Sequence, residues 1–207
     1  MERAFVGEPR DDAVGSTRPG HYGAAGSGVA LAKATIATSW NVQGDPSRAP
    51  FVDCVRRQFG VALPLAPCTT SRTDALAALW LGPTSWLLVA GGASPLTDLR
   101  AKRDALNEAG AALFDVSAGR TAWTLSGPHA ADVLAKGCPL DVHPRAFRAG
   151  ACAQSVYGHV NVLVDRRDDT PTFTLLVAQS FARDAWHALC EASAQYGYDV
   201  MPPTAFR

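Results

Sequence analysis

The chain has 207 residues, of which 47% are hydrophobic and 18% charged, and its 19 basic and 19 acidic residues give a net charge of +0. A chain of this length hides roughly 70% of the surface that its unfolded form exposes, so it can build a core without disulfides or metals. The lack of basic runs argues against nucleic-acid binding, which depends on Lys and Arg facing phosphates. The composition therefore predicts a globular protein of one large domain or two small ones.

The cysteines and the apolar segments predict a reducing, cytoplasmic setting and no membrane span. The five cysteines are an odd number and form no C-x-x-C pair, which argues against a secreted disulfide framework and against structural zinc. They stand at Cys54, Cys68, Cys138, Cys152 and Cys190. The opening "MERAFVGEPRDD" lacks the features of a signal peptide. The longest apolar stretch, "LAALWLGPTSWLLVAGG", is broken by a Gly-Pro-Thr-Ser turn and predicts a hairpin.

In chain order, residues 1–30 are poor in large apolar side chains and predict a disordered tail or an extended arm that orders on a partner. Residues 31–207 are then expected to form a single α+β domain. "KATIATSWNV" predicts a strand, and Gly44-Asp45-Pro46 opens a helix that ends at Gly60. "TDALAALWLG" and "SWLLVAG" predict a strand pair. Ser94-Pro95 predicts a helix start, with the helix ending at Gly110 before the strand "ALFDVS".

The second half of the chain repeats this order. "RTAWTLSG" predicts a strand, and Ser126 is expected to cap a helix that ends at Gly137. "CAQSVYGHVNVLVDR" and "TFTLLVA" predict two strands joined by the polar turn at 167–171. Ser180 is expected to cap a helix containing Phe181 and Trp186, both packed on the sheet, and "YDV" closes the unit.

The spacings within the two halves favour a duplication. Gly44 and Gly127 lie 83 residues apart, and Cys54–Cys68 and Cys138–Cys152 are both spaced by 14. Each half, about 33–116 and 120–200, has the order β-α-β-β-α-β, which is the ferredoxin-like order. A short sheet with helices on one face leaves its other face apolar, so the two halves are expected to share a core. Chance is the alternative, because strand–helix alternation is common.

Candidate chemical groups are few, and each has a structural interpretation. The histidines at 21, 129, 143, 159 and 187 have no spacing typical of a shared metal site, although His159 is expected inside a strand and His143 in an exposed loop. Asp115 and Arg120 are expected to form a structural ion pair. Lys136-Gly137-Cys138 suggests a reactive thiol beside a lysine, but a helix end explains the same residues. The sequence assigns no catalytic, cofactor-binding or metal-binding residue.

Five segments carry a resemblance to a known family. "DVSAGRTAWTLSGPHAADVLAKGCPLDVHPRAF", followed by "GHVNVL" and "FTLLVAQSFARDAWHALCEA", closely resembles the gamma subunit of heterotetrameric sarcosine oxidase. "GHYGAAGSGVAL" and "ALWLGPTSWLLV" are similar to the same family, so the resemblance covers about residues 21–200. "LSGP" alone is a weak signal, whereas the combination is specific. That subunit is in turn similar to the folate-binding fold of the glycine-cleavage T-protein.

The resemblance implies a complex of four different subunits that oxidatively demethylates sarcosine to glycine. It implies release of hydrogen peroxide, and formaldehyde or 5,10-methylenetetrahydrofolate as the one-carbon product. FAD, FMN and NAD are then expected in the alpha and beta subunits, zinc in delta and the folate site in alpha, with tetrahydrofolate as co-substrate. The resemblance implies that this chain holds no cofactor and is a non-catalytic structural subunit. Its expected partners are the alpha, beta and delta subunits, with alpha in direct contact.

The alternatives are a stand-alone folate-dependent aminomethyltransferase, a tRNA-modification relative of the same fold, or a free-standing binding module. Catalytic relatives carry acidic residues in a strand that looks equivalent to "GHVNVLVDR". Val160 and Asn161 stand at the expected positions here, and neither can act as a general base. Asp165 lies four residues beyond Asn161, roughly 13 Å along a strand, so it is not expected to substitute.

Overall fold

Two β-sheets form the centre of the molecule. The computed structural model describes residues 18–92 and 97–206. Its strands are β1 (Gly20–Tyr22), β2 (Val29–Thr35), β3 (Thr38–Gln43), β4 (Thr70–Arg72), β5 (Ala77–Gly82), β6 (Ser85–Ala90), β7 (Ala112–Asp115), β8 (Arg120–Ser126), β9 (Ala151–Tyr157), β10 (Val160–Arg166), β11 (Thr172–Ala178) and β12 (Tyr198–Ala205). Its helices are α1 (Ala49–Phe59), α2 (Leu99–Glu108), α3 (Ala130–Ala135) and α4 (Ala182–Ser193), with short 3-10 segments at Ser117–Gly119, Gln179–Phe181 and Ala194–Tyr196.

The larger sheet has seven strands in the order β1-β12-β2-β8-β11-β10-β9, and the smaller has five in the order β4-β5-β6-β3-β7. Neighbouring strands run antiparallel except β12 and β2, which are parallel. Helices and antiparallel strands share one fold, which confirms the prediction of a mixed α+β protein.

Each sheet buries both of its faces. On the seven-stranded sheet, Trp123 and Leu175 face one way into a core with α3 and α4, while Leu163 and Leu176 face the other way. On the five-stranded sheet, Trp86 faces α1 and α2, while Leu87 faces the other sheet. Adjacent residues of a strand point to opposite faces. The result is four layers, helices, sheet, sheet and helices, in which the middle core is shared by both sheets.

A polar seam joins the two sheets at one edge. Backbone bonds link Thr70 N–H to the carbonyl of Gly150 at 2.8 Å and Cys152 N–H to that of Cys68 at 2.9 Å. Asp165 of β10 is fully buried there and pairs with the Arg72 guanidinium of β4, while the Thr70 hydroxyl donates to its carboxylate at 3.2 Å. Buried charges are costly unless they are paired and hydrogen-bonded, so this pair fixes the alignment of the sheets.

Helix α1 illustrates how the sequence specifies an element. Its buried residues Phe51, Val55 and Phe59 recur at helical spacing, and Gly60 ends it in the left-handed region at φ 69°. Gly60 is therefore the stop that the sequence predicts. The start is later than predicted, because the Asp45 carboxylate accepts from the N–H and hydroxyl of Ser47 and forms a local turn before Ala49.

"KATIATSWNV" is two strands and not the single strand predicted. Residues up to Thr35 belong to β2 in the seven-stranded sheet, and those from Thr38 belong to β3 in the five-stranded sheet. The chain crosses between the sheets at Ile36, which packs against the shared core. A continuous β-rich pattern carries no mark of such a crossing, because both strands are equally apolar.

Residues 18–30 order against this chain's own sheet, which differs from the arm predicted there. Strand β1 pairs with β12, and His21 Nδ1 lies 2.8 Å from the Asp199 carboxylate. The Ala24 N–H donates to the Ala194 carbonyl at 2.8 Å, and β2 already begins at Val29. Backbone pairing replaces the apolar burial that this segment lacks. Residues 1–17 lie outside the described residues.

Two of the three predicted serine caps are not seen, and the third lies outside the described residues. Ser126 ends β8 opposite Thr172, and α3 begins later without a side-chain cap. Ser180 lies inside a 3-10 segment, and α4 also begins without a side-chain cap. Ser94-Pro95 lies outside the described residues; the described part of that helix begins at Leu99, with Asp98 accepting from the Ala101 N–H at 3.3 Å. The starts of α3 and α4 therefore do not depend on a side-chain cap.

"CAQSVYGHVNVLVDR" folds into the β9–β10 hairpin and not into one strand. Tyr157 pairs with Val160, so Gly158 and His159 form a two-residue turn. Gly158 has φ 60°, which glycine adopts at low cost. His159 is therefore an exposed turn residue and not the strand residue expected.

Candidate functional site

The five histidines are scattered over the surface. His129 Nδ1 lies 2.8 Å from the Asp132 carboxylate and its ring stacks on Tyr196, with centroids 4.4 Å apart. His143 is exposed, as predicted, and accepts from the Arg145 N–H at 3.2 Å; His187 is exposed on α4. Across residues 18–92 and 97–206, no group of three or more His, Cys, Asp or Glu side chains is arranged to hold a metal ion.

The predicted Asp115–Arg120 ion pair is wrong. The Asp115 carboxylate accepts from the N–H of Ser117 at 2.9 Å and from its hydroxyl at 2.6 Å. These hydrogen bonds lower the pKa of Asp115. The salt bridges among the described residues do not include this pair. Ser117 therefore supplies the hydrogen bonds that the Asp115 carboxylate needs, and Arg120 does not pair with it.

Lys136 and Cys138 take the structural role. The Lys136 ammonium donates to the Ala192 carbonyl and lies 4.5 Å from the centroid of the Tyr196 ring, which ties the end of α3 to α4. Cys138 is 5% exposed, and its thiol donates to the Ser155 hydroxyl at 3.4 Å. A buried thiol of this kind cannot reach a substrate.

Three of the other four thiols, those of Cys54, Cys152 and Cys190, are buried as well. The five cysteines form no disulfide with each other, and Cys68 is the exposed member of the set. Cys152, in the seam between the sheets, is fully buried, and burial raises the pKa of its thiol to about 11. A thiol with that pKa remains protonated at neutral pH and is a weak nucleophile.

The strand equivalent to the acidic strand of the catalytic relatives is β10. Val160 is 1% exposed and belongs to the core between this sheet and its helices, whereas Asn161 is exposed on the opposite face. Asp165 shares that face but is buried. Burial raises the pKa of Asp165, and the adjacent Arg72 guanidinium opposes that rise. Its carboxylate is engaged in the seam and is not open to a ligand.

A cavity of about 590 Å³ lies at one end of the space between the sheets, and we call it the sheet-end cavity. Its polar lining residues are Arg120, Gln154, Ser155 and Asn161, and its apolar ones include Val116, Leu163 and Ala178. The strand alternation explains the polar set. Arg120 lies two residues before Ala122 in β8, and Asn161 lies two residues before Leu163 in β10. Ala122 and Leu163 belong to the shared core, so Arg120 and Asn161 also point toward the five-stranded sheet.

Arg120 dominates the electrostatics of the sheet-end cavity. It is half-buried, and among the described residues no carboxylate or hydrogen-bond acceptor engages its guanidinium. Burial alone lowers its pKa, since no neighbouring charge offsets the lost hydration. An arginine keeps its charge even so. Gln154 is partly engaged, because its amide donates to the Leu81 carbonyl at 2.6 Å.

Sequence reasoning named Asn161 only as a position without the carboxylate of the catalytic relatives, and it missed the cavity. It assigned Arg120 to a local ion pair because Asp115 is near in sequence. The alternation along β8 could have indicated the site. Arg120 lies on the same face of this strand as Ala122, which packs in the shared core. Only the stacking of the second sheet shows that an inward-facing arginine at the strand end borders a cavity.

The arrangement of two sheets between helices is similar to the fold of a glycine-cleavage aminomethyltransferase. Aminomethyltransferase T of the glycine cleavage system from Bartonella henselae has a similar structure, with a TM-score of 0.55 at 15% identity, over 86% of this chain and 48% of that one. More specifically, residues 43–195 match the model of the sarcosine oxidase, gamma subunit family. The chain belongs to that family.

Two relatives agree with this assignment. A sarcosine oxidase subunit gamma from Corynebacterium sp. (strain P-1) is 31% identical over 170 residues, which is 81% of each chain. A chain of the heterotetrameric sarcosine oxidase from Corynebacterium sp. U-96, solved in complex with pyrrole 2-carboxylate, has a TM-score of 0.72 at 28% identity. The match covers 84% of this chain and 88% of that one.

No helix among the described residues is long and apolar enough to cross a membrane.

Proposed function

We propose that this chain is a non-catalytic structural subunit of a heterotetrameric sarcosine oxidase. The complex would oxidatively demethylate sarcosine to glycine, releasing hydrogen peroxide and formaldehyde or 5,10-methylenetetrahydrofolate. FAD, FMN, NAD and zinc would be held by the other subunits, and tetrahydrofolate would be a co-substrate there. The partners would be the alpha, beta and delta subunits, with alpha in direct contact, and the compartment would be the cytoplasm.

The observation that carries the structural role is the chemistry of the sheet-end cavity. General acid–base catalysis needs a group that gains and loses a proton near neutral pH. Arginine stays protonated, and neither the amides of Asn161 and Gln154 nor the hydroxyl of Ser155 titrate near neutral pH, so the cavity's polar side chains supply no base. The nearby carboxylate of Asp165 is buried in its pair with Arg72. These facts support a subunit that contributes surface and not chemistry.

Titration with tetrahydrofolate tests this role against the alternative of a stand-alone aminomethyltransferase or tRNA-modification relative. We expect calorimetry of the purified full chain to detect no saturable binding, and we expect no turnover of an aminomethyl donor. A glycine-cleavage aminomethyltransferase is the positive control. Micromolar binding at one site, lost in Asn161→Ala, would refute the structural role.

Copurification tests membership of the complex. A tag on this chain in its native host should recover three further subunits, carrying the flavins, NAD and zinc. Recovery of the tagged chain alone, as a monomer, would favour the alternative.

We also infer that the protein is built from two ferredoxin-like halves. If the four strands of a half are numbered 1 to 4 in chain order, the ferredoxin-like sheet has the order 4-1-3-2. The five-stranded sheet contains this order as β7-β3-β6-β5, and the seven-stranded sheet contains it as β12-β8-β11-β10 once β2 is set aside. The second sheet also holds β2 between β12 and β8, and β4 and β9 add one edge strand to each sheet.

A further inference from the structure

Two exposed aromatic residues lie two or three positions along the chain from residues that line the sheet-end cavity. Among the described residues, four large apolar side chains are exposed, and Phe114 and Phe181 are two of them, at 48% and 42%. Phe114 points away from its strand neighbour Leu113, which packs toward the helices, and therefore toward the seven-stranded sheet; Val116, two residues on, lines the cavity. Phe181 is the last residue of the 3-10 segment Gln179–Phe181, which directly follows Ala178, and the backbone of this segment lies close to that of Ser117–Gly119.

The cavity and the rings together have the make-up of an interface. Arginine and aromatic residues are enriched where partner proteins bind, and the strongest contacts fill a pocket surrounded by apolar groups. A small ligand inside the cavity would leave both rings in water. A polypeptide that entered the cavity could cover them as well.

The charge of the cavity specifies the group that enters it. A partly desolvated guanidinium without an anion is unfavourable, and a carboxylate matches its planar fork with two parallel hydrogen bonds. Asn161 lies on β10, two strands from Arg120 on β8, which is roughly 10 Å at the usual strand spacing. Its amide can donate to the same segment. The complementary partner therefore carries an acidic side chain next to an apolar one.

We infer that the sheet-end cavity is a docking site, in which Arg120 binds an Asp or Glu side chain of a partner subunit and the flanking Phe114 and Phe181 cover an apolar residue beside it. The inference rests on the proposed function and names the surface by which this chain would join the complex. The carboxylate comes from the partner polypeptide and not from a free metabolite.

Co-expression of the whole complex with a tagged partner subunit tests the inference. We expect Arg120→Gln to weaken retention of this chain by roughly 30-fold or more, mainly through faster dissociation, because an unpaired carboxylate stays buried in the interface. Arg120→Lys should be intermediate, since lysine keeps the charge but not the fork. Arg145→Gln, an exposed arginine outside the cavity lining, is the matched control.

The melting temperature of each variant chain separates docking from folding. If the Arg120→Gln chain melts at a lower temperature than the wild type, the Phe181→Ser variant becomes the test of docking, because the Phe181 ring is exposed in the isolated chain. We expect Phe181→Ser to reduce retention while the melting temperature stays unchanged. Equal retention of the wild type, Arg120→Gln and Phe181→Ser would overturn the inference. So would saturable binding of benzoate to the full chain that depends on Arg120 while assembly is unaffected.

The proposed function can fail separately. If the wild-type chain does not co-elute with the other subunits, the proposed function is refuted. If it co-elutes and the cavity variants do so equally well, only the docking site is refuted.

Discussion

At the residue scale, the Asp165–Arg72 pair links the two sheets through a buried carboxylate. Its carboxylate is fully buried and the arginine side chain is 18% exposed, and the two come from different sheets. A buried ion pair gives little net stability over an apolar pair of the same shape, but the loss of one partner leaves a buried charge. The pair therefore selects one alignment of the sheets over others.

We expect Arg72→Met to lower the free energy of unfolding by about 3–5 kcal/mol at neutral pH, because Asp165 stays buried without its cation. Losing the cation raises the pKa of Asp165 further in the folded state. As the pH falls through that raised pKa, the carboxyl takes up a proton and the penalty shrinks. Urea unfolding at about pH 7.5 and about pH 5 measures the difference between variant and wild type.

Arg57→Met is the matched control for this prediction, because Arg57 is exposed in the last turn of α1. It should change stability little at either pH. A deficit of Arg72→Met that is equal at both values would show that lost packing, and not the buried charge, is responsible.

At the element scale, α4 shows how one helix can divide its aromatic residues between core and surface. Trp186 is 2% exposed and its ring lies 4.6 Å from that of Trp123, so it packs on the seven-stranded sheet as predicted. Phe181 was expected to do the same, but it falls in the 3-10 segment before the helix and is 42% exposed. The helix period of α4 does not extend back to Phe181, and this is why that part of the prediction is wrong.

Truncation of these two residues should therefore have unequal effects. We expect Trp186→Ala to cost about 3–5 kcal/mol, because it opens a cavity beside Trp123. Phe181→Ala, the matched control, should stay within about 0.5 kcal/mol, as is usual at exposed positions. Urea denaturation of both variants measures this. A near-neutral Trp186→Ala would contradict the packing described for α4.

At the scale of the whole molecule, the shared middle core joins both sheets into one cooperative unit. Leu79 and Leu87 of the smaller sheet and Leu163 and Leu176 of the larger are fully or almost fully buried against each other. Either sheet alone would expose this apolar face to water. Strand β2 strengthens the link, because it precedes the smaller sheet in the chain and lies in the larger one.

We expect the two sheets to unfold together. Variants that retain only Trp86, in the smaller sheet, or only Trp123, in the larger, should give coincident fluorescence transitions in urea. Each should also coincide with the loss of far-ultraviolet circular dichroism of the same variant. Two separated midpoints would mean that the sheets fold as independent domains.

The sequence by itself determined the elements whose signals are local, and the family. The apolar spacing and Gly60 define α1, the Gly-Pro-Thr-Ser turn separates β5 from β6, and the motif combination identifies the gamma subunit family. These features depend on residues a few positions apart, so periodicity and turn chemistry reveal them.

Only the tertiary structure decided where the chain crosses between the sheets, where β8 ends and what surrounds Arg120. These features depend on which apolar faces of the strands and helices pack against each other. The crossing between β2 and β3 is invisible in a run of equally β-prone residues. Ser126 matches a cap signal, but pairing with Thr172 continues β8 to that residue. Arg120 has a carboxylate five residues away in Asp115, yet Ser117 satisfies that carboxylate and the arginine faces the sheet-end cavity. Stacking of one sheet on the other, far apart in sequence, creates that cavity.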